Sequence, residues 1–330
     1  MLQASPLLGM LFGGIVPSWD VLGRVALLLI GSIALTGHVF VFNDWAGRSG
    51  DVRDPTRAEQ FFGRKSISSR EVAHLAIALL VVSILALALV GVSAVLFGAA
   101  IAGLSVVYSA SWTFGKGKPI LASLLHVVGG AFHFLLGYAL SHALDLSGFA
   151  IAIFFGLVFA GGHLNQEVRD YEADQSNGIR TTAVVFGRRR AFVASFLVFT
   201  AAYLLLLVLV LGGILPRPLM WAALLWPWHL ICSLRTLRSG IGFEAAIWMQ
   251  RRYRLEFAVL GLAMTLNTPL AIDLARRANH QTRNDATHAA PARNLLEPDS
   301  RPFPAIPPQV VLENGIHGPN PIAPPHFLSF

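Results

Sequence analysis

The chain has 330 residues, of which 55% are hydrophobic and only 13% charged, with a mean hydropathy of +0.61; an ordinary soluble domain carries about 25% charged residues. These values exclude a soluble globular domain and describe an integral membrane protein. The net charge of +7 argues for membrane topology rather than nucleic-acid binding, because the basic residues lie mainly in the connections between apolar runs. A single cysteine, Cys232, rules out an intramolecular disulfide or a cysteine-built metal site.

Nine apolar segments are predicted in chain order, each measured against the roughly 20 residues that cross a bilayer as a helix. The first, about 4–18, is short, and with neither a basic start nor an A-x-A site it reads as a membrane segment rather than a signal peptide. The second, 21–42, runs into "NDWAGRSGD" and an acidic patch of Asp44, Asp51, Asp54 and Glu59. Segments 72–90 and 92–112 follow, then a connection with Lys116 and Lys118, then segments 119–142 and 148–166. The sixth ends in a second acidic patch, Glu167, Asp170, Glu172 and Asp174. The last three segments are 191–214, 218–234 and 255–274, and beyond them a Pro-rich stretch without periodicity reads as disordered tail.

Basic residues sort by side. The connections after the second, fourth, sixth and eighth segments hold Arg48, Arg53, Arg57, Arg64, Lys65, Arg70, Lys116, Lys118, Arg169, Arg180, Arg188, Arg189, Arg190, Arg235, Arg238, Arg251, Arg252 and Arg254, while the opposite connections hold Arg24 and Arg217. By the positive-inside rule the crowded side is cytoplasmic, with the N-terminus inside and the C-terminus outside after nine crossings. Both acidic patches fall on that side.

Two carboxylate patches that meet across the mouth of a helix bundle suit a divalent ion. Asp170 and Asp174 are four apart and so share a helical face, about 5 to 6 Å between Cβ atoms. Asn43 and Asp51, eight apart, fall on roughly one face as well. Mg²⁺ takes oxygen ligands and is held by one or two carboxylates plus substrate phosphates. The nearby bases Arg64, Lys65, Lys116, Lys118 and Arg180 are placed to neutralise phosphate charge. The plainer reading is of solvated loop charges paired with neighbouring arginines. Against it stand the i, i+4 pair, the matching patch four segments earlier and their shared side.

These residues resemble the UbiA superfamily of intramembrane prenyltransferases. "NQEVRDYEADQSNGIRTTAVVFG" is similar to the family's second aspartate motif, with Asp170, Asp174, Gly178, Thr181 or Thr182, and Gly187 at the matching positions. "NDWAGRSGD" matches the first motif, NDxxDxxxD, at Asn43, Asp44 and Asp51, with Gly47 where the family has its middle Asp. "YSASWTFGKGKP" resembles the Tyr-Ser and Lys-Gly-x-Pro region after segment four. The likeness covers residues 1–274 and leaves 275–330 outside. It implies an all-α bundle of about nine transmembrane helices around a central cavity, capped by the two motifs. Asn43, Asp44, Asp51, Asp170 and Asp174 would be catalytic, and of these Asn43, Asp51, Asp170 and Asp174 would hold Mg²⁺. An isoprenyl diphosphate and a lipophilic acceptor would be the partners, in a multi-pass protein of the bacterial inner membrane whose site faces the cytoplasm.

Other features carry two readings each. His126, His133 and His163 lie within apolar segments, either as hydrogen-bonded structural residues or as markers of an acceptor site. His163, seven before Asp170, lies near the same helical face. Phe132, Phe134, Tyr138, Phe155 and Phe159 read as packing residues or as stabilisers of a carbocation. Competing functions are phosphoribosyl transfer to polyprenyl phosphate within the same superfamily, a polytopic transporter or binding protein, and a catalytically impaired homologue, which Gly47 keeps open. Acids at helix ends, rather than at the bilayer midplane where transporter sites lie, favour the enzyme.

Overall fold

Helix lengths in the computed structural model follow the apolar runs. It describes residues 3–16, 18–51, 68–109, 115–268, 271 and 273, with 48–51 as backbone alone. Asp54, Glu59, Arg64, Lys65 and the tail lie outside the described residues, as does the side chain of Asp51. The helices are α1 (Ala4–Phe12), α2 (Trp19–Asp51), α3 (Ser69–Val90), α4 (Val92–Ser109), α5 (Leu121–Ser141) and α6 (Leu146–Arg169). Next come the short α7 (Tyr171–Ser176) and α8 (Thr182–Phe186), then α9 (Arg188–Leu211), a 3-10 helix (Arg217–Leu224), α10 (Leu225–Arg238) and α11 (Phe243–Leu266). There is no strand among the described residues.

Among the described residues six helices are long and apolar enough to cross a membrane: α2, α3, α4, α5, α6 and α9. The other three predicted segments differ from expectation for local reasons. Helix α1 has nine residues, about 14 Å at 1.5 Å per residue, well short of the roughly 30 Å hydrocarbon core. The stretch 218–234 is divided between the 3-10 helix, which follows Pro216 and has Pro at its start, and the 14-residue α10. Helix α11 starts at Phe243, twelve residues before the predicted segment. Arg251, Arg252 and Arg254, expected in a connection, are within it, because Arg is a good helix former and the guanidinium groups of Arg252 and Arg235 lie 5.0 Å from the Trp248 ring.

The bundle wears its apolar residues outside as well as inside. Ile33, Ile77, Leu85, Leu89, Leu96, Leu204, Val208 and Leu211 are all exposed, a surface that water would penalise and lipid accepts. Phe134, Phe154, Phe192, Phe199 and Leu206 fill the interior. Helix α2 packs on α3, α5 on α6, α9 on α6 and α1 on α5. Two of these contacts need glycine. A Cβ at Gly137 would stand 1.7 Å from Pro6 O, and one at Gly156 would stand 2.4 Å from Val127 O, so α1 and α6 lie almost backbone to backbone against α5, as small residues permit in membranes.

Polar groups inside the bundle are tied to one another. Glu256 of α11, 3% exposed, accepts from Tyr203 Oη of α9 and lies 3.0 Å from His229 Nδ1 of α10. His133 Nε2 meets Ser32 Oγ at 3.1 Å, and Ser32 Oγ donates to Gln3 Oε1 at 2.6 Å. Helix starts are capped: Ser68 and Glu71 form a reciprocal capping box at α3. Asp145 caps α6 through Gly148 N–H at 2.8 Å and also takes the Tyr138 hydroxyl at 2.9 Å. The amide first, then the hydroxyl, hold its carboxyl below the usual carboxylate range.

Candidate functional site

A cavity of about 560 Å³ is lined by α1, α2, α4, α5, α6 and α11. Its walls are mostly apolar, with Leu35, Leu104, Phe155, Phe159, Phe257 and Met264 among them. Toward the ends of α2, α4 and α6 the lining becomes polar, with Asn43, Ser105, Tyr108, His163 and Gln166, joined by His126 near the start of α5 and Arg254 midway along α11.

The second motif grows directly out of α6. That helix breaks at Asp170 (φ −89°, ψ 10°), yet Asp174 N–H still donates to the Asp170 carbonyl at 2.8 Å, which preserves the i, i+4 relation across the break. Arg169 grips the Asp170 carboxylate through Nε and Nη2 at 2.8 and 2.7 Å, and its Nη1 donates to Gln250 Oε1 of α11 at 3.3 Å. Asp174 is 3% exposed and its Oδ1 lies 4.0 Å from Lys116 Nζ. Glu172 pairs with Arg188 at the start of α9.

The Gly and Thr positions of the motif turn the chain back over this end. Gly178, at φ +69°, closes α7 in the left-handed conformation that glycine adopts without a steric cost. Thr181 caps α8, with Val184 N–H on its Oγ1 at 3.4 Å. Thr182 Oγ1 accepts from Ile120 N–H at 3.4 Å, and Ala183 N–H donates to Glu167 Oε2 at 3.2 Å. The turn therefore ties α6 to the Lys-bearing connection. That connection is itself folded over the end of α4, where Lys116 N–H donates to Tyr108 O at 2.9 Å.

The first motif lies on α2, which continues through Asn43, Asp44 and Gly47 to Asp51 instead of stopping at 42. Asn43 lines the cavity, and its Oδ1 accepts from Ser109 Oγ at 3.4 Å. Asp44 is exposed on the neighbouring position. Lys118 and Arg180 are exposed as well, so among the predicted bases with described side chains it is Lys116 that reaches an acid of the second motif. Asp170 and Asp174 stand within electrostatic reach of Tyr108 on the cavity wall.

Some neighbours of the site have no motif. Tyr108, His126, His163 and Glu167 form one cluster on the cavity side of the second motif. His163 and Glu167, at i, i+4 on α6, were detectable by spacing; Tyr108 opens the Tyr-Ser stretch and His126 stood out as a polar residue in an apolar run, but they come from two other helices and nothing local signalled that they meet. Of the predicted aromatics, Phe155 and Phe159 line the cavity, whereas Phe134 is fully buried in packing and Tyr138 is committed to Asp145.

Among the described residues no three His, Cys, Asp or Glu side chains gather as a ready-made metal site. The carboxylates of Asp170 and Asp174 and the amide oxygen of Asn43 on the cavity wall are oxygen donors of the kind that suits Mg²⁺, which keeps several waters and fills its shell with substrate phosphate.

Comparison with known proteins agrees with this architecture. The UbiA homolog from Archaeoglobus fulgidus bound to GPP and Mg²⁺ is 20% identical over 80% of this chain and 95% of its own, with a TM-score of 0.61. The apo UbiA homolog from Aeropyrum pernix K1 is 18% identical over 83% and 97%, with a TM-score of 0.59. A digeranylgeranylglyceryl phosphate synthase is 14% identical over 81% and 92%, with a TM-score of 0.58. At these identities the likeness establishes the fold. No curated protein matches the chain in sequence. The family profile extends over residues 4–266, from α1 to the last residue of α11, and on that match this integral membrane chain belongs to the UbiA prenyltransferase family.

Proposed function

We propose that the chain is a Mg²⁺-dependent intramembrane transferase that moves a prenyl group from an isoprenyl diphosphate to an aromatic or other lipophilic acceptor. The observation that carries this reading is Asp174 beside Lys116, on the connection whose amide binds Tyr108 of the apolar cavity's lining, in a chain of this family. Solved relatives with GPP and Mg²⁺ or DMAPP and Mg²⁺ bound support it.

On this reading Asn43, Asp51, Asp170 and Asp174 hold the ion, with Asp44 beside them, and Arg64, Lys65, Lys116, Lys118 and Arg180 meet the diphosphate. Bound Mg²⁺ supplies Lewis-acid stabilisation of the departing diphosphate. Lys116 adds fixed positive charge where negative charge develops. The apolar walls exclude water that would quench an allylic cation, and Phe155 and Phe159 offer ring faces worth about 0.5 to 2 kcal/mol each to that cation. Residues 1–274 form the transferase domain, 275–330 a Pro-rich tail, and the one-sided distribution of arginines supports a bacterial inner-membrane protein with its site toward the cytoplasm.

Purified protein in detergent, given Mg²⁺, allylic diphosphates of several lengths and a lipid extract, should yield a prenylated product by mass spectrometry. Absence of both product and diphosphate release with every donor would rule the reading out.

A further inference from the structure

Tyr108 of α4, His126 of α5, and His163 and Glu167 of α6 form an array that neither aspartate motif requires. The two imidazoles stack with centroids 3.7 Å apart and planes within 7°, and Tyr108 meets both edge-on at 5.0 and 5.8 Å. The tautomer of His126 is fixed by its own helix. Its Nδ1 lies 2.7 Å from the Ala122 carbonyl oxygen, which can only accept, so Nδ1 carries the proton and Nε2 the lone pair. Tyr108, His126 and His163 all line the cavity. Behind the stack His163 and Glu167 are each 4% exposed. His163 Nε2 stands 3.0 Å from Glu167 Oε1, yet neither atom has an aligned hydrogen-bond partner. Oε2 of the same carboxylate takes the Ala183 amide. A buried carboxylate beside two stacked imidazoles is placed to stabilise positive charge on the stack.

We propose that His126 is the base that takes the proton lost by the acceptor, and that His163 and Glu167 position it and balance the charge it gains; the inference rests on the prenyl-transfer reading above. The allylic C–O bond breaks and its electron pair leaves with the diphosphate. An oxygen or ring carbon of a hydroxyl-bearing acceptor forms the new bond to the prenyl carbon, and the one proton released moves to His126 Nε2. The resulting imidazolium is stacked on His163, whose Nε2 edge lies by Glu167, and it returns its proton to water after the products leave. His126 thereby selects acceptors with a hydroxyl that can donate to its lone pair.

The test uses the full chain in detergent with Mg²⁺ and geranyl diphosphate, and 4-nonylphenol and its methyl ether as probe acceptors. Diphosphate release without acceptor is measured alongside transfer. The wild type is expected to prefer the phenol by about 100-fold, the range of general base catalysis. His126→Phe keeps an aromatic ring for the stack but not the lone pair: it should lose that preference. Glu167→Gln should lower the preference by about tenfold, and His126→Asn replaces the phenyl variant if that one fails to fold. An unchanged phenol preference in the His126 variants overturns the assignment, as does transfer to neither probe by a wild type that still releases diphosphate. A wild type that releases no diphosphate fails at the prenyl-transfer reading itself.

Discussion

Lys116 Nζ stands 4.0 Å from Asp174 Oδ1, which joins the connection after α4 to the second acid of the second motif. The separation exceeds the 2.7 to 2.9 Å of a charge-assisted hydrogen bond, so the two charges attract across a gap. On the prenyl-transfer reading the same ammonium also meets the diphosphate. Lys116→Gln should raise the KM for the prenyl donor about tenfold, the loss of one contact to a charged group. Asp174→Asn should lower kcat by about 10² to 10³ with little change in thermal stability. Steady-state kinetics against the donor separate the two, and an Asp174→Asn enzyme with full kcat would remove this acid from the chemistry.

Gly47 lies within the unbroken α2, one turn beyond Asn43. Because glycine costs a helix interior about 1 kcal/mol relative to alanine, the helix gains rather than loses by accepting a side chain there. Gly47→Asp should leave the melting temperature unchanged or slightly higher and lower the Mg²⁺ concentration needed for half-maximal activity. A Mg²⁺ titration of donor turnover reads the result, and a higher requirement would mean that the first motif no longer addresses the ion.

The Tyr203, His229 and Glu256 cluster joins α9, α10 and α11 away from the cavity lining. Removing one member leaves a buried polar group without its partner. His229→Ala should therefore destabilise by about 3 kcal/mol, while the double change His229→Phe with Glu256→Met should recover most of that loss. Denaturant unfolding in detergent measures both, and a double variant as weak as the single one would mean that the network does more than satisfy its own charges.

At Gly137 the added Cβ would fall on backbone, not on a side chain that can turn away. Gly137→Ala must push α1 off α5, at a cost of about 1 to 3 kcal/mol. Since Ala4, Ser5 and Leu8 of α1 line the cavity, the same variant should alter donor-length preference as well as melting temperature. Melting curves and product profiles from mixed donors would report the two effects independently.

Much of this fold was legible because lipid enforces a single rule, and an uncharged run of 18 residues or more has few alternatives to a helix. The register of Asp170 and Asp174 was also readable, since one backbone hydrogen bond carries the four-residue spacing across the break between α6 and α7. What escaped detection depends on contacts between elements. Arg251, Arg252 and Arg254 looked like a loop because charge usually marks one, and their inclusion in α11 relies partly on Trp248 lying beneath Arg252. The grip of Arg169 on Asp170 and Gln250 joins residues 81 positions apart, and the meeting of Tyr108, His126 and His163 needs three helices in place. No single-segment pattern encodes either.

Two walls of the cavity face outward as well as inward: Phe40 of α2 is 53% exposed and Leu262 of α11 is 60% exposed. On the prenyl-transfer reading a lipophilic ligand meets these side chains from within the bilayer, after partitioning there at about 0.8 kcal/mol for each buried CH₂. The concentration that governs its binding is then its mole fraction in lipid, not its molarity in the assay tube. Added bilayer or detergent acts as a diluent, and an apparent KM acquires meaning only at a stated lipid-to-protein ratio.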